Sequence, residues 1–260
     1  MNYRLFAPIT ALCLFGLVAG CSSSKPTGPV SSTEELQARF KADLPADIIE
    51  LLPGKYDGPF AINHPVTLIG KGEKSAIKLS GTGPIITVHS QDVRLENLSI
   101  ESGKASGDGI WFDNSTGHIE NCIISTAGES CVHLSGAQTK ISISKCDLTG
   151  GDAGIYAYGS AQGEVIDCQI HKVKVGILSR SKGTLVTISR SKIYDCPTNA
   201  LWASSGGKLD IQECEVTGNP IAALVDPKSR IELTTSQIHH NTDGIILAEL
   251  SSGYISNNSF

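Results

Sequence analysis

The sequence predicts an all-β solenoid of parallel strands, a parallel β-helix, and three repeated features indicate it. A short apolar run recurs every 22–24 residues, and it begins in successive units at Ile86, Ile110, Val132, Ile155, Ile177, Leu201, Ala223 and Ile245. A second column keeps the same register and contains Leu98, Cys122, Cys146, Cys168, Ser191, Cys214, Ser236 and Asn258. Apolar residues stand three positions before and two positions after each member of this column. Such a period, with β-branched residues and turn glycines, is typical of a solenoid in which each coil buries its apolar columns against the next.

The first twenty residues have the composition of a targeting segment. Arg4 supplies a positive charge, and the apolar stretch 5–18 is too short for a comfortable transmembrane helix. Residues 18–21, Val-Ala-Gly-Cys, resemble the lipobox of bacterial lipoproteins, in which the cysteine becomes the lipidated first residue. We therefore predict a lipoprotein signal peptide at 1–20 and lipidation at Cys21, with an ordinary secretory signal as the alternative. The serine that follows predicts a lipid anchor in the outer membrane of a Gram-negative cell envelope.

A tether and a helix are predicted before the repeats begin. Residues 21–31 are rich in Ser, Pro and Gly, which is typical of a flexible tether, and the β-helix domain is predicted at 32–260. Its first part, 32–44, is expected to be a helix, because Ser32 and Glu35 form a capping-box pattern and an apolar pair follows at i, i+4. We expect this helix to cover the open end of the first coil; a partner-binding helix is the alternative.

Two segments carry a resemblance to a known family. Residues 53–56, Pro-Gly-Lys-Tyr, and 65–70, Pro-Val-Thr-Leu-Ile-Gly, resemble the opening coils of the right-handed β-helix superfamily. That superfamily holds pectate lyases, polygalacturonases and NosD-like carbohydrate-binding or copper-maturation proteins, and the resemblance covers about residues 45–260. It implies right-handed coils with three sheets and a polysaccharide groove on the sheet that opens each unit. It does not fix an activity, because this fold hosts many functions.

One outer face of the solenoid is predicted to carry the candidate ligand-binding residues. Strand alternation turns the second and fourth residues of each opening strand outward, and the charged members Asp113, Arg180 and Asp226 fix this parity. Both tryptophans of the chain and two of its six tyrosines then share one face. The candidates are Trp111, His133, Tyr156, Tyr158, Arg180 and Trp202. Flat rings beside hydroxyl and charged groups are suited to a sugar chain, and ordinary surface aromatics are the alternative.

Three functions follow from this face and are kept open. The first is binding of a cell-envelope polysaccharide without catalysis. The second is a polyuronate lyase or C5-epimerase, for which Arg180, Tyr158, His133 and Asp113 are the candidate catalytic residues. The uniform coil length argues against it, because long loops usually wall the cleft of such enzymes. The third is a structural or assembly protein, or a NosD-like maturation factor.

No cofactor, metal site or nucleic-acid partner is predicted. The cysteines lack the close pairing that metal sites use. Stacked side chains point in parallel rather than at each other, so the six in the body are expected to be reduced, small buried residues, with disulfides in an oxidising compartment as the alternative. Adjacent His239 and His240 are expected to point to opposite sides of a strand, and 241–244, Asn-Thr-Asp-Gly, to form a turn. The net charge of −5 without a basic patch argues against nucleic acid.

The last repeat ends in mid-coil and predicts a second contact surface. Ile255 and Phe260 close the final apolar stack, so these side chains and a sheet edge are expected to be exposed. We therefore predict self-association through the C-terminal coil, with a weak point in the fold as the alternative. The predicted partners are thus a polysaccharide, the membrane through the N-terminal lipid, and a second copy of the chain.

Overall fold

The computed structural model describes residues 28–42, 47–103 and 107–260, and these form a parallel β-helix. The described residues contain one α-helix, α1 (Thr33–Lys41), one 3-10 helix (Lys74–Ala76) and 28 short strands in three parallel sheets. The predicted all-β solenoid is confirmed. The predicted signal peptide, Cys21 and the first part of the predicted tether lie outside the described residues.

Each coil contributes one strand to each sheet. The first sheet contains β1 (Asp47–Leu51), β4 (Val66–Gly70), β7 (Val93–Glu96), β10 (Thr116–Glu120), β13 (Lys140–Ser144), β16 (Gln162–Ile166), β19 (Leu185–Ser189), β22 (Lys208–Gln212), β25 (Arg230–Thr234) and β28 (Ser252–Ser256). The second contains β2 (Gly54–Asp57), β5 (Ile77–Gly81), β8 (Ser99–Ser102), β11 (Ile123–Thr126), β14 (Asp147–Thr149), β17 (Gln169–His171), β20 (Lys192–Tyr194), β23 (Glu215–Thr217) and β26 (Gln237–His239). The third contains β3 (Phe60–Ile62), β6 (Ile86–Val88), β9 (Ile110–Asp113), β12 (Ser130–Ser135), β15 (Ala153–Tyr158), β18 (Val175–Arg180), β21 (Asn199–Ser204), β24 (Ile221–Val225) and β27 (Asp243–Leu247).

The N-terminal helix covers the first coil, as the sequence predicts. Ser32 Oγ accepts a hydrogen bond from the Glu35 N–H at 3.2 Å, and the Glu35 carboxylate accepts one from the Ser31 N–H at 2.8 Å. Leu36 and Phe40 are buried, and the Phe40 ring meets Phe60 edge-to-face with centroids 5.9 Å apart. Within the described residues no helix has the length and apolar character needed to span a membrane.

A buried ion pair fastens this helix to the first strand. Arg39 Nε donates to Asp47 Oδ2 at 2.8 Å, and the same guanidinium donates to the carbonyls of Ile48 and Gly28 at 3.1 and 3.3 Å. Val30 is buried and exchanges backbone hydrogen bonds of 2.7 and 2.9 Å with Glu50 and Leu52. Residues 28–31, which composition assigns to the flexible tether, are therefore held on the first coil by backbone pairing.

One residue per coil turns the chain from the first sheet into the second by adopting positive φ. These residues have φ between 47° and 57° and are Asn97, Asn121, Lys145, Asp167, Arg190, Glu213, Thr235 and Asn257. Only three of them are asparagine, which tolerates a left-handed conformation better than most residues. The other five adopt it at a steric cost. A constraint in the packed coil must therefore hold these corners.

At five of the corners the residue that follows supplies that constraint by hydrogen bonding to the next coil. The Cys122 N–H donates to Cys146 Sγ, and the Cys146 N–H to Cys168 Sγ, both at 3.4 Å. The Cys168 N–H donates to Ser191 Oγ at 3.1 Å. The same pattern continues at Cys214, Ser236 and Asn258. We call the inward residues that follow the corners, from Cys122 to Asn258, the corner ladder.

Members of the corner ladder also donate. Cys146 Sγ–H donates to the Ser144 carbonyl at 3.1 Å, and Ser191 Oγ–H donates to the Ser189 carbonyl at 2.9 Å. All six body cysteines are buried and unbridged, as predicted. All six lie in the apolar core, as expected of small buried residues. Those in the corner ladder also form hydrogen bonds, which the prediction did not include, and thiol, hydroxyl and amide groups alternate there. Hydrogen bonding to Cys122, together with burial, raises the pKa of Cys146 to about 12.

The last coil leaves apolar side chains in solvent, as the sequence predicts. Leu247 is 45% exposed, Ile255 40% and Phe260 70%. In earlier coils the residues equivalent to Leu247 and Ile255, such as Val225 and Leu233, are fully buried.

The corner ladder predicts a specific order of stability at Cys146. Cys146→Ser keeps an acceptor for the Cys122 N–H, whereas Cys146→Ala removes it. We expect the alanine variant to lose about 1–3 kcal/mol more unfolding free energy in urea denaturation than the serine variant. Cys131 is the control, because its sulfur donates to the Thr149 carbonyl but accepts no backbone N–H among the described residues. There serine should bring no such advantage, and equal losses at Cys146 would contradict the ladder.

Candidate functional site

The outer face of the third sheet carries one column of large side chains in strand register. The column runs through Thr87, Trp111, His133, Tyr156, Leu178, Trp202, Leu224 and Ile246. A second column, two residues further along each strand, includes Asp113, Ser135, Tyr158, Arg180 and Ser204. The first and third residues of these strands, such as Ile110 and Phe112, are buried. The predicted inward and outward alternation is thus confirmed.

Four rings on this face form a continuous stack, which we call the aromatic ladder. Trp111 and His133 are stacked with centroids 5.7 Å apart and planes inclined by 23°. His133 lies 4.9 Å from Tyr156 and 5.4 Å from Tyr158, and the two tyrosine rings stack at 5.4 Å. Ring pairs at these separations attract one another beyond simple area burial. The ladder therefore presents a packed, largely apolar surface across three coils.

Both tryptophans are fixed by the same hydrogen bond to the next coil. Trp111 Nε1–H donates to Ser135 Oγ at 2.8 Å, and Trp202 Nε1–H donates to Asp226 Oδ2 at 3.0 Å. Both indoles are half-buried. Ser135, which alternation turns outward, is only 3% exposed because it accepts this bond and donates to Asp113 Oδ1 at 3.1 Å. The prediction that its side chain faces solvent was wrong.

The aromatic ladder forms part of an open groove that runs along the solenoid. A hollow of about 350 Å³ is lined by Trp111, His133 and Tyr158, and one of about 500 Å³ by Tyr156, Leu178 and Trp202. Both are lined by Glu129, and we call the two hollows together the third-sheet groove. Trp111 and Trp202 lie four strands apart, which is about 19 Å at the usual strand spacing. Larger hollows on the first sheet and at the first corner contain no Trp or Tyr.

Asp108 holds His133 in place and was missed by the sequence reasoning. Asp108 is buried, its Oδ2 is 2.8 Å from His133 Nδ1, and its Oδ1 accepts the Ser130 N–H at 2.9 Å. The carboxylate assigns the proton of a neutral imidazole to Nδ1. His133 Nε2 is buried and has no hydrogen-bond partner among the described residues. Asp108 lies in the turn before the opening strand, and an acid before a glycine there is a weak sequence signal.

The four candidate catalytic residues are only partly brought together. His133 contacts Tyr158, and Arg180 lies one coil further along the column of Tyr158. Asp113 instead accepts hydrogen bonds from Ser135 and Asn114 and lies 3.8 Å from His89.

The groove edges carry two exposed acids and two exposed bases. Glu129 and Asp152 are exposed on one edge, where Lys174 Nζ lies 2.5 Å from Asp152 Oδ1. Arg180 is exposed and forms no salt bridge among the described residues. Glu129, Asp152, Lys174 and Leu178 were not among the predicted site residues, because residues before the opening strand and aliphatics on it give no binding signal by themselves.

The adjacent histidines near the C-terminus do not behave as predicted. His239 and His240 have their Nδ1 atoms 2.6 Å apart, whereas opposite directions were expected. His240 has φ of 56°, which ends β26 and turns its ring back toward His239. Within the described residues no group of three or more His, Cys, Asp or Glu side chains is placed to hold a metal ion.

Comparisons with known proteins agree on the fold. Residues 82–183 and 175–260 match the family described as the right handed beta helix region. The alginate lyase from Paenibacillus sp. str. FPU-7 superposes with a TM-score of 0.60 at 15% identity, covering 89% of this chain and 98% of that chain. The pectate lyase Pel9A gives a TM-score of 0.57 at 11% identity, covering 86% and 72%. These likenesses extend to the fold alone, and the sequence matches no curated protein.

The buried Asp108 predicts a stability difference between two acids beside the groove. Asp108→Ala leaves His133 Nδ1 and the Ser130 N–H without their acceptor, so the variant should lose about 1–3 kcal/mol of unfolding free energy. Asp152→Ala is the control, since it breaks only an exposed ion pair and should cost less than about 1 kcal/mol. Urea denaturation followed by circular dichroism measures both. Equal losses would mean that Asp108 does not hold His133.

Proposed function

We propose, from the premise that this chain belongs to the right-handed β-helix family, that it binds an extended polysaccharide along the third-sheet groove without turning it over. The observation that carries the proposal is the aromatic ladder, which is continuous with Trp202 through Leu178. Binding sites are typically apolar and aromatic surfaces with a few placed polar groups, which is the composition of this groove.

Rigidity of the rings supports binding of a sugar chain. The bonds from the Trp111 and Trp202 indoles to the next coil hold both rings before a ligand arrives. Little side-chain freedom is then lost on binding, so ring contacts contribute more fully to affinity. The open groove is long enough to contact several sugar units in succession.

Two observations favour binding over catalysis. The coils keep a length of 22–24 residues, so no long loop of the described repeats rises over the groove. His133 Nε2, the nitrogen that would exchange a proton with substrate, is enclosed by its surroundings. A general base has to reach the proton it removes, within hydrogen-bond distance or through one water.

The alternative is a polyuronate lyase or C5-epimerase. It is supported by His133 held on Asp108 beside Tyr158, with Arg180 one coil away to neutralise a uronate carboxylate. The alginate lyase and the pectate lyase that share the fold act on such polymers, as their names state. Incubation of the full chain with alginate and polygalacturonate tests this alternative, because a lyase produces an unsaturated sugar that absorbs ultraviolet light.

The proposal includes a lipid anchor at Cys21 in the outer membrane. Its support is the sequence of residues 18–21 and the position of Gly28, which Arg39 fixes at the first coil. Seven residues, 21–27, then separate the anchor from the β-helix, which spans at most about 25 Å when extended. The first coil would therefore lie within about 25 Å of the membrane surface.

Self-association through the final coil completes the proposal and is the basis of the structural or assembly alternative. It is supported by the exposure of Leu247, Ile255 and Phe260 in one coil. Apolar side chains gathered at a sheet edge favour pairing with another chain.

Ring removal is expected to weaken binding of the glycan. Trp111→Ala and Trp202→Ala each remove stacking contacts worth roughly 0.5–1.5 kcal/mol, which is about a two- to tenfold loss of affinity in calorimetry. Tyr194→Ala is the control, because Tyr194 is a half-buried ring stacked on His171 at 4.8 Å, but on the second sheet. Unchanged affinity in both tryptophan variants, or formation of unsaturated product by the wild type, would contradict the proposal.

Cys21→Ser should abolish the anchor. The wild type expressed with labelled palmitate should carry label and sediment with membranes, and the variant should lose both properties, because serine provides no thiol for the lipid. Cys13→Ser, within the predicted signal peptide, is the control and should retain the label. A wild type without label would point to the ordinary secretory signal.

Phe260→Asp should shift the chain toward monomer in sedimentation, because a charge at this 70% exposed position opposes apolar pairing. Tyr254→Asp, at a 57% exposed ring on the outer face of the first sheet, is the control for adding a charge to the same coil. A wild type that is monomeric at all concentrations would remove self-association from the proposal.

A further inference from the structure

We propose that the third-sheet groove prefers glycans that carry protonated amino groups and disfavours polyuronates. This inference rests on the proposed polysaccharide binding and names its substrate class. The charges that line the groove carry it, together with the aromatic surface on which they stand.

The fixed charge of the groove is negative. Its acidic lining residues are Asp108, Glu129 and Asp152, and its basic lining residues are Lys174 and Arg180. These three carboxylates face two bases, so the lining acids and bases sum to a net charge of −1. A uronate in every sugar unit would add like charge along the whole groove.

Glu129 is the carboxylate most available to a ligand. It is exposed, lines both halves of the groove, and makes no side-chain hydrogen bond or salt bridge among the described residues. Lys174 is already paired with Asp152, which leaves Arg180 as the unpaired base of the groove within the described residues. With that pair cancelled, Arg180 offers a polyuronate one attractive contact, while Glu129 and the buried Asp108 oppose its carboxylates.

The rings act in the same direction as the acids. The faces of Trp, Tyr and, more weakly, Phe carry negative potential and attract ammonium groups within about 6 Å. Trp111, Tyr156, Tyr158 and Trp202 present such surfaces beside Glu129. An amino sugar can therefore lay its apolar ring face on the aromatic floor while its ammonium group is attracted by both the rings and the carboxylates. A uronate is repelled by both.

The test measures binding of the full chain to three hexasaccharides of equal length. They are the hexamers of glucosamine, of N-acetylglucosamine and of galacturonate. Calorimetry at low salt and mildly acidic pH, where the amines are protonated, should give affinities in that order. The advantage of the glucosamine hexamer should shrink as salt is added, because exposed charges are screened beyond a Debye length of about 10 Å at 0.1 M.

Two groove variants should change the affinity for the glucosamine hexamer in opposite directions. Glu129→Gln should lower this affinity roughly two- to fivefold, and Arg180→Ala should raise it by a similar factor, as expected for exposed charge contacts. Glu164→Gln is the matched control, since Glu164 is an exposed glutamate on the first sheet.

The outcomes separate this inference from the function on which it rests. Binding that depends on Trp111 and Trp202 but is tightest for the galacturonate hexamer overturns the amino-glycan preference alone. The same holds if Glu129→Gln leaves the glucosamine hexamer unaffected. Failure of all three hexamers to bind, or binding indifferent to both tryptophans, overturns the polysaccharide proposal itself and the preference with it.

Discussion

The hydrogen bonds of the corner ladder are the constraint on which the rest of the structure depends. In each coil the corner between the first and second sheets turns through a residue with positive φ. In the corner ladder the N–H of the following residue is buried. A buried donor without a partner costs about 1–3 kcal/mol, and five of these N–H groups find an acceptor in the next coil. Cysteine, serine and asparagine at this position all provide it. Equivalent bonds at the corner between the second and third sheets link Cys196, Asn219 and Asn241.

Regular coils place equivalent side chains directly above one another. Because the ladder fixes the register from Cys122 onward, an outward ring in one strand lies over the outward ring of the next. Trp111, His133 and Tyr156 follow one another in this way, although 22 and 23 residues separate them along the chain. The indole N–H bonds to Ser135 and Asp226 use the same register. The groove is therefore a consequence of the repeat rather than of loops added to it.

The same regularity limits what chemistry the groove supports. Without long loops the groove stays open, and water is not excluded from a bound sugar. Asp108 and His133 are the acid and base best suited to proton transfer. They are instead hydrogen-bonded to each other, and Asp108 also accepts the Ser130 N–H. Their geometry is that of a buried support for the aromatic ladder, which suits recognition of a surface more than proton transfer. The proposed preference for glycans with protonated amino groups rests on the carboxylates of this groove.

The sequence by itself determined the solenoid, its strand parity and the N-terminal helix, because periodic burial of apolar residues leaves a direct pattern in the chain. That pattern also placed Trp111 and Trp202 on one face. Only the tertiary structure decided the contacts between coils: the thiol hydrogen bonds of Cys146, the burial of Ser135 and the support of His133 by Asp108. These partners lie 22–25 residues apart or depend on the exact turn geometry, and alternation along one strand carries no information about either. The charge of the groove was likewise hidden, because Glu129 and Asp152 enter from turns that only folding brings beside the rings.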